Sequence, residues 1–390
     1  MPYSQPRRLL SLAPSQIREN MRIAAEVGAI NMAQGRPDFP AAEVVKQAAI
    51  DAIREDHNQY SVTWGLPALR QAVATMLREQ YGLQADPERE ITITCGVTEG
   101  MVGALMATVQ RGDDVLVIEP AHENYVPAVH FCGAQPRFLP LRAPNFALDA
   151  DALRAAVTDQ TRVIILNTPH NPSGRVFTTD EIDSVAEVCR ERDILLLTDE
   201  IYDRLTYDGL AHIPPATRPG MAERTITAGG ISKIHCVTGW RLGFVVAPPA
   251  VTDAIRIVHD YTTICAPTPL QHAAVVALQQ PERYFAELRE RFADRRGRMM
   301  EILDASGFSA TPPQGAYYVM ADYSRWGFEG DAAAFCRHLI TEVGVATVPG
   351  PAFYLGNPQL GEGLVRFAFA KTADTLDEVE KRLSRGFARR

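Results

Sequence analysis

The sequence predicts an α/β protein: a mostly parallel central sheet with helices on both faces, joined to a smaller α+β unit. Three observations predict it. Short apolar, β-branched runs recur at 91–94 (ITIT), 115–119 (VLVIE), 162–166 (RVIIL), 194–198 (ILLLT), 225–227 (TIT) and 242–247 (LGFVVA). Amphipathic stretches with helical spacing lie between them, and that alternation is the rhythm of βαβ units. From about residue 281 the rhythm changes to a long charged helix, ERYFAELRERFADRRGRMMEIL, followed by shorter strands and helices.

The elements follow in chain order. The opening stretch, MPYSQPRRLLSLAPSQIREN, has three arginines but neither the apolar core nor the cleavage site of a secretory signal. It leads into a helix-prone piece and then the extended, Pro-punctuated NMAQGRPDFP. In the sheet region, Thr178 and Glu181 have the spacing of a capping box ahead of Ile182, Val185 and Val188. A last helix, TADTLDEVEKRL, ends the pattern. With no internal repeat or flexible linker, the division expected is a large unit over 46–280 and a small one formed by 1–45 with 281–390.

Composition narrows the function. The 390 residues are 46% hydrophobic and 22% charged, enough to bury a sizeable core, and the net charge of −8 argues against partners such as nucleic acid or anionic lipid. No stretch is long and apolar enough to span a bilayer, so a cytoplasmic protein is expected. Cysteines 95, 132, 189, 236, 265 and 336 show no metal-ligand spacing and are expected to be reduced, buried thiols.

Open α/β sheets bind ligands at the carboxyl ends of their strands, so the polar residues just after each run are the candidates. After ITIT comes CGVTEG and then a helix, which offers the backbone of Gly96, Val97 and Thr98 to an anion. The pattern is neither a dinucleotide fingerprint nor a Walker loop. After RVIIL comes NTPHNPSG with Asn171; after ILLLT comes DEIY with Asp199 and Tyr202. A carboxylate at the end of a buried strand is costly unless it has a partner. Only four lysines occur, Lys46, Lys233, Lys371 and Lys381. Three lie in charge-rich segments and read as solvated, whereas Lys233 follows a strand among Gly, Ser and Thr, where a buried amine serves as a nucleophile. Arg241 stands eight residues later in TGWRLGF, and Arg366 lies in LVRFAFA, on the face opposite Val365 and Phe367.

Taken together, the phosphate-type loop, NTPHNPSG, TDEIY, SK with its arginine and the late RFAFA resemble the class I/II aminotransferases of pyridoxal-phosphate (PLP) fold type I, over nearly the whole chain. NQYS, ILNTPHNP, TGW and FAK are similar above all to the kynurenine, glutamine and methionine aminotransferase branch. The resemblance implies a PLP fold type I large domain and pyridoxal 5'-phosphate as cofactor. It implies that Lys233 carries the cofactor and moves the substrate proton, that Asp199 pairs with the pyridine nitrogen, and that Asn171 and Tyr202 bond the ring hydroxyl. Arg241, Ser232, Gly96, Val97 and Thr98 would hold the phosphate, with Tyr60 of a neighbouring subunit reaching it, so that a homodimer is expected. Arg366, with Gly35 and Asn171, would take the substrate carboxylate. No metal is implied. Substrates would be an L-amino acid and a 2-oxo acid in ping-pong transamination.

Three positions depart from the family pattern. His122 stands where an aromatic ring normally stacks on the cofactor, and is expected to stack there and alter its electronics or supply a proton. Gly230 replaces a hydroxyl residue near the phosphate, and Arg36 replaces an aromatic side chain and is expected to face solvent. Because His122 leaves the chemistry open, the alternative to transamination is a lyase, cyclase or oxidase on the same scaffold. A non-catalytic effector module is disfavoured by the intact Lys233. Tyr60, Trp64 and Tyr125 suggest a pocket for large or apolar side chains.

Overall fold

The computed structural model describes residues 15–388, so the arginine-bearing start over 1–14 lies outside them. The strands are β1 (Ile30–Asn31), β2 (Ile91–Thr94), β3 (Asp114–Glu119), β4 (Gln135–Pro140), β5 (Thr161–Asn167), β6 (Leu195–Asp199), β7 (Thr225–Gly229), β8 (Gly243–Val246), β9 (Ser309–Ala310), β10 (Tyr318–Asp322), β11 (Val345–Ala346), β12 (Val348–Pro349) and β13 (Leu364–Ala368). Seven form one sheet in the order β2-β8-β7-β6-β5-β3-β4. The pairs from β4 across to β7 are parallel; β8 runs antiparallel to both its neighbours.

Both faces of this sheet are covered, which is why its strands read as unbroken apolar runs. Val115, Val117, Val163, Ile165 and Leu197 pack into the core on one face, and Leu116, Ile118, Ile164, Leu166 and Leu196 into the core on the other. The six expected runs are all strands. The seventh strand, β4, was not expected. Its sequence QPRFLP contains two prolines, tolerable only because β4 lies at the sheet edge.

β12, β13, β10 and β9 form an antiparallel sheet, and β1 pairs with β11 in parallel. The long helix Glu282–Ala305 and the last helix Ala373–Ala388 cover it through Phe292, Met299, Ile302, Leu376, Val379 and Leu383. Among the described residues no helix is long and apolar enough to cross a membrane. All six thiols are free, but only Cys189 and Cys336 are fully buried; the other four are partly exposed, contrary to expectation.

Lys371 also departs from the sequence reading. It is buried, and its Nζ donates to the Arg36 carbonyl at 2.9 Å. Burial pulls its pKa down, with Asp38 opposing and Arg36 reinforcing the shift. Next to it the Thr372 N–H and the Thr375 hydroxyl donate to the Asp38 carboxylate at 2.6 and 2.7 Å. The lysine therefore fastens the 35–38 segment to the C-terminal part of the chain instead of meeting water.

The helix Thr179–Glu191 starts with the expected capping box: the Glu181 N–H donates to Thr178 Oγ1 at 3.3 Å and the Thr178 N–H to Glu181 Oε2 at 2.8 Å. Thr178→Ala is expected to cost about 1 kcal/mol of stability, read from thermal or denaturant unfolding. Turnover should be unchanged, since Thr178 does not line the cavity described below.

Candidate active site

The carboxyl ends of β2, β3, β6 and β7 converge on one cavity of about 90 Å³. Val97, Thr98, His122, Asp199, Tyr202, Ser232, Lys233 and Arg241 all line it. Residues picked from scattered motifs are therefore brought together by the sheet. The register explains part of this: Asn167 on β5 lies beside Asp199 on β6, and its Nδ2 donates to the Asp199 carbonyl at 2.7 Å. Its Oδ1 accepts the Asn171 N–H at 2.6 Å, which fixes the loop after β5 against the end of β6.

The anion side is built around the helix Gly96–Thr108. No side chain at the N-cap, Cys95, caps it. Instead Glu99 Oε2 accepts the Cys95 N–H at 3.0 Å, leaving the first-turn N–H groups facing outward with the positive end of the helix dipole. Arg241 adopts a left-handed backbone (φ 54°), and its guanidinium sits so close that a Cβ on Gly96 would lie 2.5 Å from Nη2. Gly96 is itself at φ 79°, so glycine is required there twice over. Gly230 also has a reason: a Cβ would fall 2.9 Å from the Leu242 carbonyl and 3.1 Å from Ile201, leaving no room for a hydroxyl side chain.

Asp199 is the buried carboxylate at the end of β6. Burial raises its pKa above the usual range, and the Tyr125 hydroxyl, the Ile201 N–H and the Lys233 charge oppose that rise. Tyr125 donates to Oδ2 at 2.7 Å and Ile201 to Oδ1 at 3.2 Å. Tyr125 thus lines the cavity, as expected, and is also the partner of Asp199. Trp64 does not line the cavity; its ring lies under the Arg256 guanidinium, 4.8 Å from the centroid.

His122 lines the same cavity, with Nδ1 buried and without a hydrogen-bond partner. Burial, with the charges of Lys233, Arg366 and Arg18, depresses its pKa to about 3. It is a neutral ring at physiological pH and not a proton donor there.

The second cluster adjoins the first. Lys233 Nζ donates to the Gly35 carbonyl at 3.3 Å, and the Tyr317 hydroxyl to the same oxygen at 3.1 Å. A Cβ on Gly35 would lie 1.7 Å from the Tyr318 hydroxyl, so only glycine fits. The Tyr318 hydroxyl also shares a 3.0 Å hydrogen bond with that of Tyr202, whose burial holds its pKa well above the ordinary value. Arg366 is buried between the rings of Tyr318 and Phe353, at 4.3 and 4.7 Å from their centroids. It donates to Asn171 Oδ1 at 2.8 Å and to the Ala33 carbonyl at 2.5 Å. Its Nε has no partner, and among the described residues no carboxylate forms an ion pair with it. Burial pulls its pKa below the usual arginine value. A strand arginine facing water is excluded.

Tyr125, Asn167, Tyr317 and Tyr318 were not anticipated in these positions. The only local signals were a tyrosine three residues after His122 and the Tyr pair in GAYYVM. Of the expected residues, Gly35, Gly96, Asn171 and Arg366 are buried but do not line the cavity, Tyr60 lies away from it, 78% exposed, and Arg36 is exposed as expected.

A family model described as aminotransferase class I and II matches residues 27–383. The chain belongs to the class I and II aminotransferases. It is 38% identical over 388 residues to the probable N-succinyldiaminopimelate aminotransferase DapC of Mycobacterium tuberculosis, covering 97% of both chains. It is 32% identical to the methionine aminotransferase of Escherichia coli, over 96% of this chain and 97% of that one. The solved N-succinyldiaminopimelate aminotransferase of M. tuberculosis superposes with a TM-score of 0.95 over 98% of this chain and 99% of that one. This is a PLP-dependent aminotransferase of fold type I, acting on an amino acid and a 2-oxo acid. The residues present fit the cofactor: an amine, a buried carboxylate, an unpartnered flat ring, and a helix N-terminus under an arginine surround one cavity.

Tyr125→Phe removes one of the two donors to the Asp199 carboxylate. Asp199 then protonates at a higher pH, and PLP affinity should fall several-fold, with the loss starting on the acid side of the profile. Titrating the apoprotein with PLP at several pH values checks this.

Proposed function

We propose that Lys233 is the amine that holds the cofactor and carries the proton of the substrate α-carbon. Asp199 faces the pyridine nitrogen, Asn171 and Tyr202 face the ring hydroxyl, and Arg241, Ser232 and the backbone of Gly96, Val97 and Thr98 hold the phosphate. Arg366, Asn171 and Gly35 hold the substrate carboxylate. The observation that carries the reading is the gathering of Lys233, Asp199 and Arg241 around one cavity, tied through Asn167 and Asn171 to a buried arginine without a carboxylate partner.

Bound PLP supplies an aldehyde that condenses with amines and a ring that draws electrons from the α-carbon. The chain supplies the rest. Ionised Asp199 favours a protonated pyridine nitrogen. Neutral Tyr202 has a hydroxyl to donate. Arg366 presents a planar, two-pronged donor already desolvated by Tyr318 and Phe353, so a carboxylate meets it at low reorganisation cost. His122, neutral and unpartnered, covers a ring face by contact rather than by charge. Gly35 and Arg366 come from the unit over 1–45 and 281–390, whereas Lys233, Asp199 and Arg241 come from that over 46–280, so substrate binding draws the two units together.

The relatives are named for substrates with succinylated, aromatic, acidic and thioether side chains. What those substrates share is the α-amino carboxylate, and that is the part the buried groups of this site address. Among the described residues the buried arginines are Arg70 and Arg366, and Arg70 does not line the cavity, which disfavours strict specificity for aspartate.

The active form we propose is a homodimer. Tyr60 lies on an arm outside its own cavity, and Ile257, Tyr261 and Ile264 are exposed on the helix and turn beside that arm, Tyr261 by 90%. Apolar side chains exposed in this number support burial against a second copy, with Tyr60 against the neighbour's phosphate.

Lys233→Ala should abolish both the visible absorbance of the bound cofactor and turnover; normal turnover would overturn the reading. Arg366→Gln should raise the KM for amino acids at least tenfold while PLP stays bound. Sedimentation of the holoenzyme should give twice the chain mass.

A further inference from the structure

His259 is fully buried in the last turn of the helix Pro249–Thr262, which packs on the helix Gly96–Thr108. Its Nε2 lies 2.8 Å from the Thr63 carbonyl and its Nδ1 3.1 Å from Glu99 Oε1. A carbonyl oxygen only accepts, so Nε2 carries a hydrogen. Glu99 accepts at its other oxygen from the Cys95 N–H, the pattern of a carboxylate, so Nδ1 carries one as well. Two donors on one ring make an imidazolium. Both helices favour it: a cation suits the C-terminal turn of one, an anion the N-terminal turn of the other.

The two partners of this ring are not equivalent, and the backbone carbonyl of the same residue reaches a third place. Glu99 caps the helix whose first turn faces the phosphate. Thr63 belongs to the arm that carries Tyr60. The His259 carbonyl accepts the N–H groups of Thr263 and Ile264, at 2.9 and 3.1 Å, and so shapes the exposed turn in which Ile264 is held at φ 73°. A β-branched residue there is uncommon and marks a turn fixed by its surroundings.

We infer that His259 is a positioning residue, an imidazolium clamp that fixes the Tyr60 arm and the Ile264 turn to the phosphate-binding helix of the same chain. The inference rests on the dimer reading above, in which that arm serves the neighbouring subunit. The clamp then ties the phosphate grip of one site to the arm that completes the other. It also has a pH dependence. Burial disfavours the charge, and the hydrogen bond and charge of Glu99, the Thr63 carbonyl and the Asp260 charge outweigh it, so the pKa is raised. The other charged group near it on its own helix is Arg256, which stacks on Trp64, while β2 presents the uncharged Thr92. A raised pKa means that the clamp is complete below the ordinary imidazole value and is lost as pH rises through the folded one.

Imidazole NMR of the holoenzyme, with nitrogen-labelled histidine, reads the protonation directly and needs no folded variant to interpret it. His259 should titrate above the ordinary imidazole value of about 6.5 and be doubly protonated below it. A ring found neutral below that value, with Glu99 as the acid, would overturn the inference. In a second arm, His259→Gln should weaken PLP binding about tenfold at pH 7 and flatten the alkaline loss of affinity, while Tyr60→Phe should weaken binding and keep that loss. Unchanged affinity in Tyr60→Phe would sink the dimer reading. Weakened affinity in Tyr60→Phe together with wild-type behaviour in His259→Gln would sink the clamp alone.

Discussion

A carboxylate buried at the end of a sheet strand is the constraint around which this molecule is arranged. Asp199 has left water entirely, a move that costs several kcal/mol for an ion without partners. Three groups from three places answer that cost: the Tyr125 hydroxyl from the helix after β3, the Ile201 N–H from the turn after β6, and the Lys233 charge from the loop after β7. Only a parallel sheet with those strands side by side, in the order β7-β6-β5-β3, brings the three loops to one point. The fold is therefore a precondition for the charge.

The opposite charge is placed by the other sheet. Arg366 enters from β13, between β12 and β10, and is flanked by rings of Tyr318 and Phe353 instead of carboxylates. Two neutral oxygens, from Asn171 and Ala33, orient it without neutralising it. A local carboxylate would have stabilised the arginine more and left nothing for a substrate to gain. The same logic holds for Arg241, whose recorded partner is the Thr238 carbonyl. Both cations are oriented by dipoles and keep their charge available.

How much of this was legible in sequence depends on range. The strand runs of the sheet were legible because both faces are buried and the pattern is local. Lys233, Asp199, Arg241 and Arg366 were legible because each sits in a motif of a few residues whose chemistry is unusual for its surroundings. β4 was not, since its prolines speak against a strand and only the edge position excuses them. Tyr125 was not, because its meaning lies in a contact 74 residues away. Lys371 was misread for the same reason: the stretch that follows it in sequence is polar, but its partner is the Arg36 carbonyl, 335 residues distant. Local chemistry names the reacting groups; the groups that hold them in place are specified by folding.

His122 shows how the two kinds of information combine. By sequence alone, an imidazole where a larger aromatic ring is usual leaves open whether it acts through its proton or through its flat face. The surroundings decide. Burial disfavours a charged ring first, and the charges of Lys233 and Arg366 push in the same direction, so that the ring is held neutral. What remains is a flat, polarizable ring with one unpartnered nitrogen, set edge-on to Tyr125 at a centroid distance of 5.8 Å. Tyr125 in turn holds Asp199. The residue that departs from the family pattern thus stands against the same tyrosine that donates to the buried carboxylate, and it adds a neutral ring to the cavity wall.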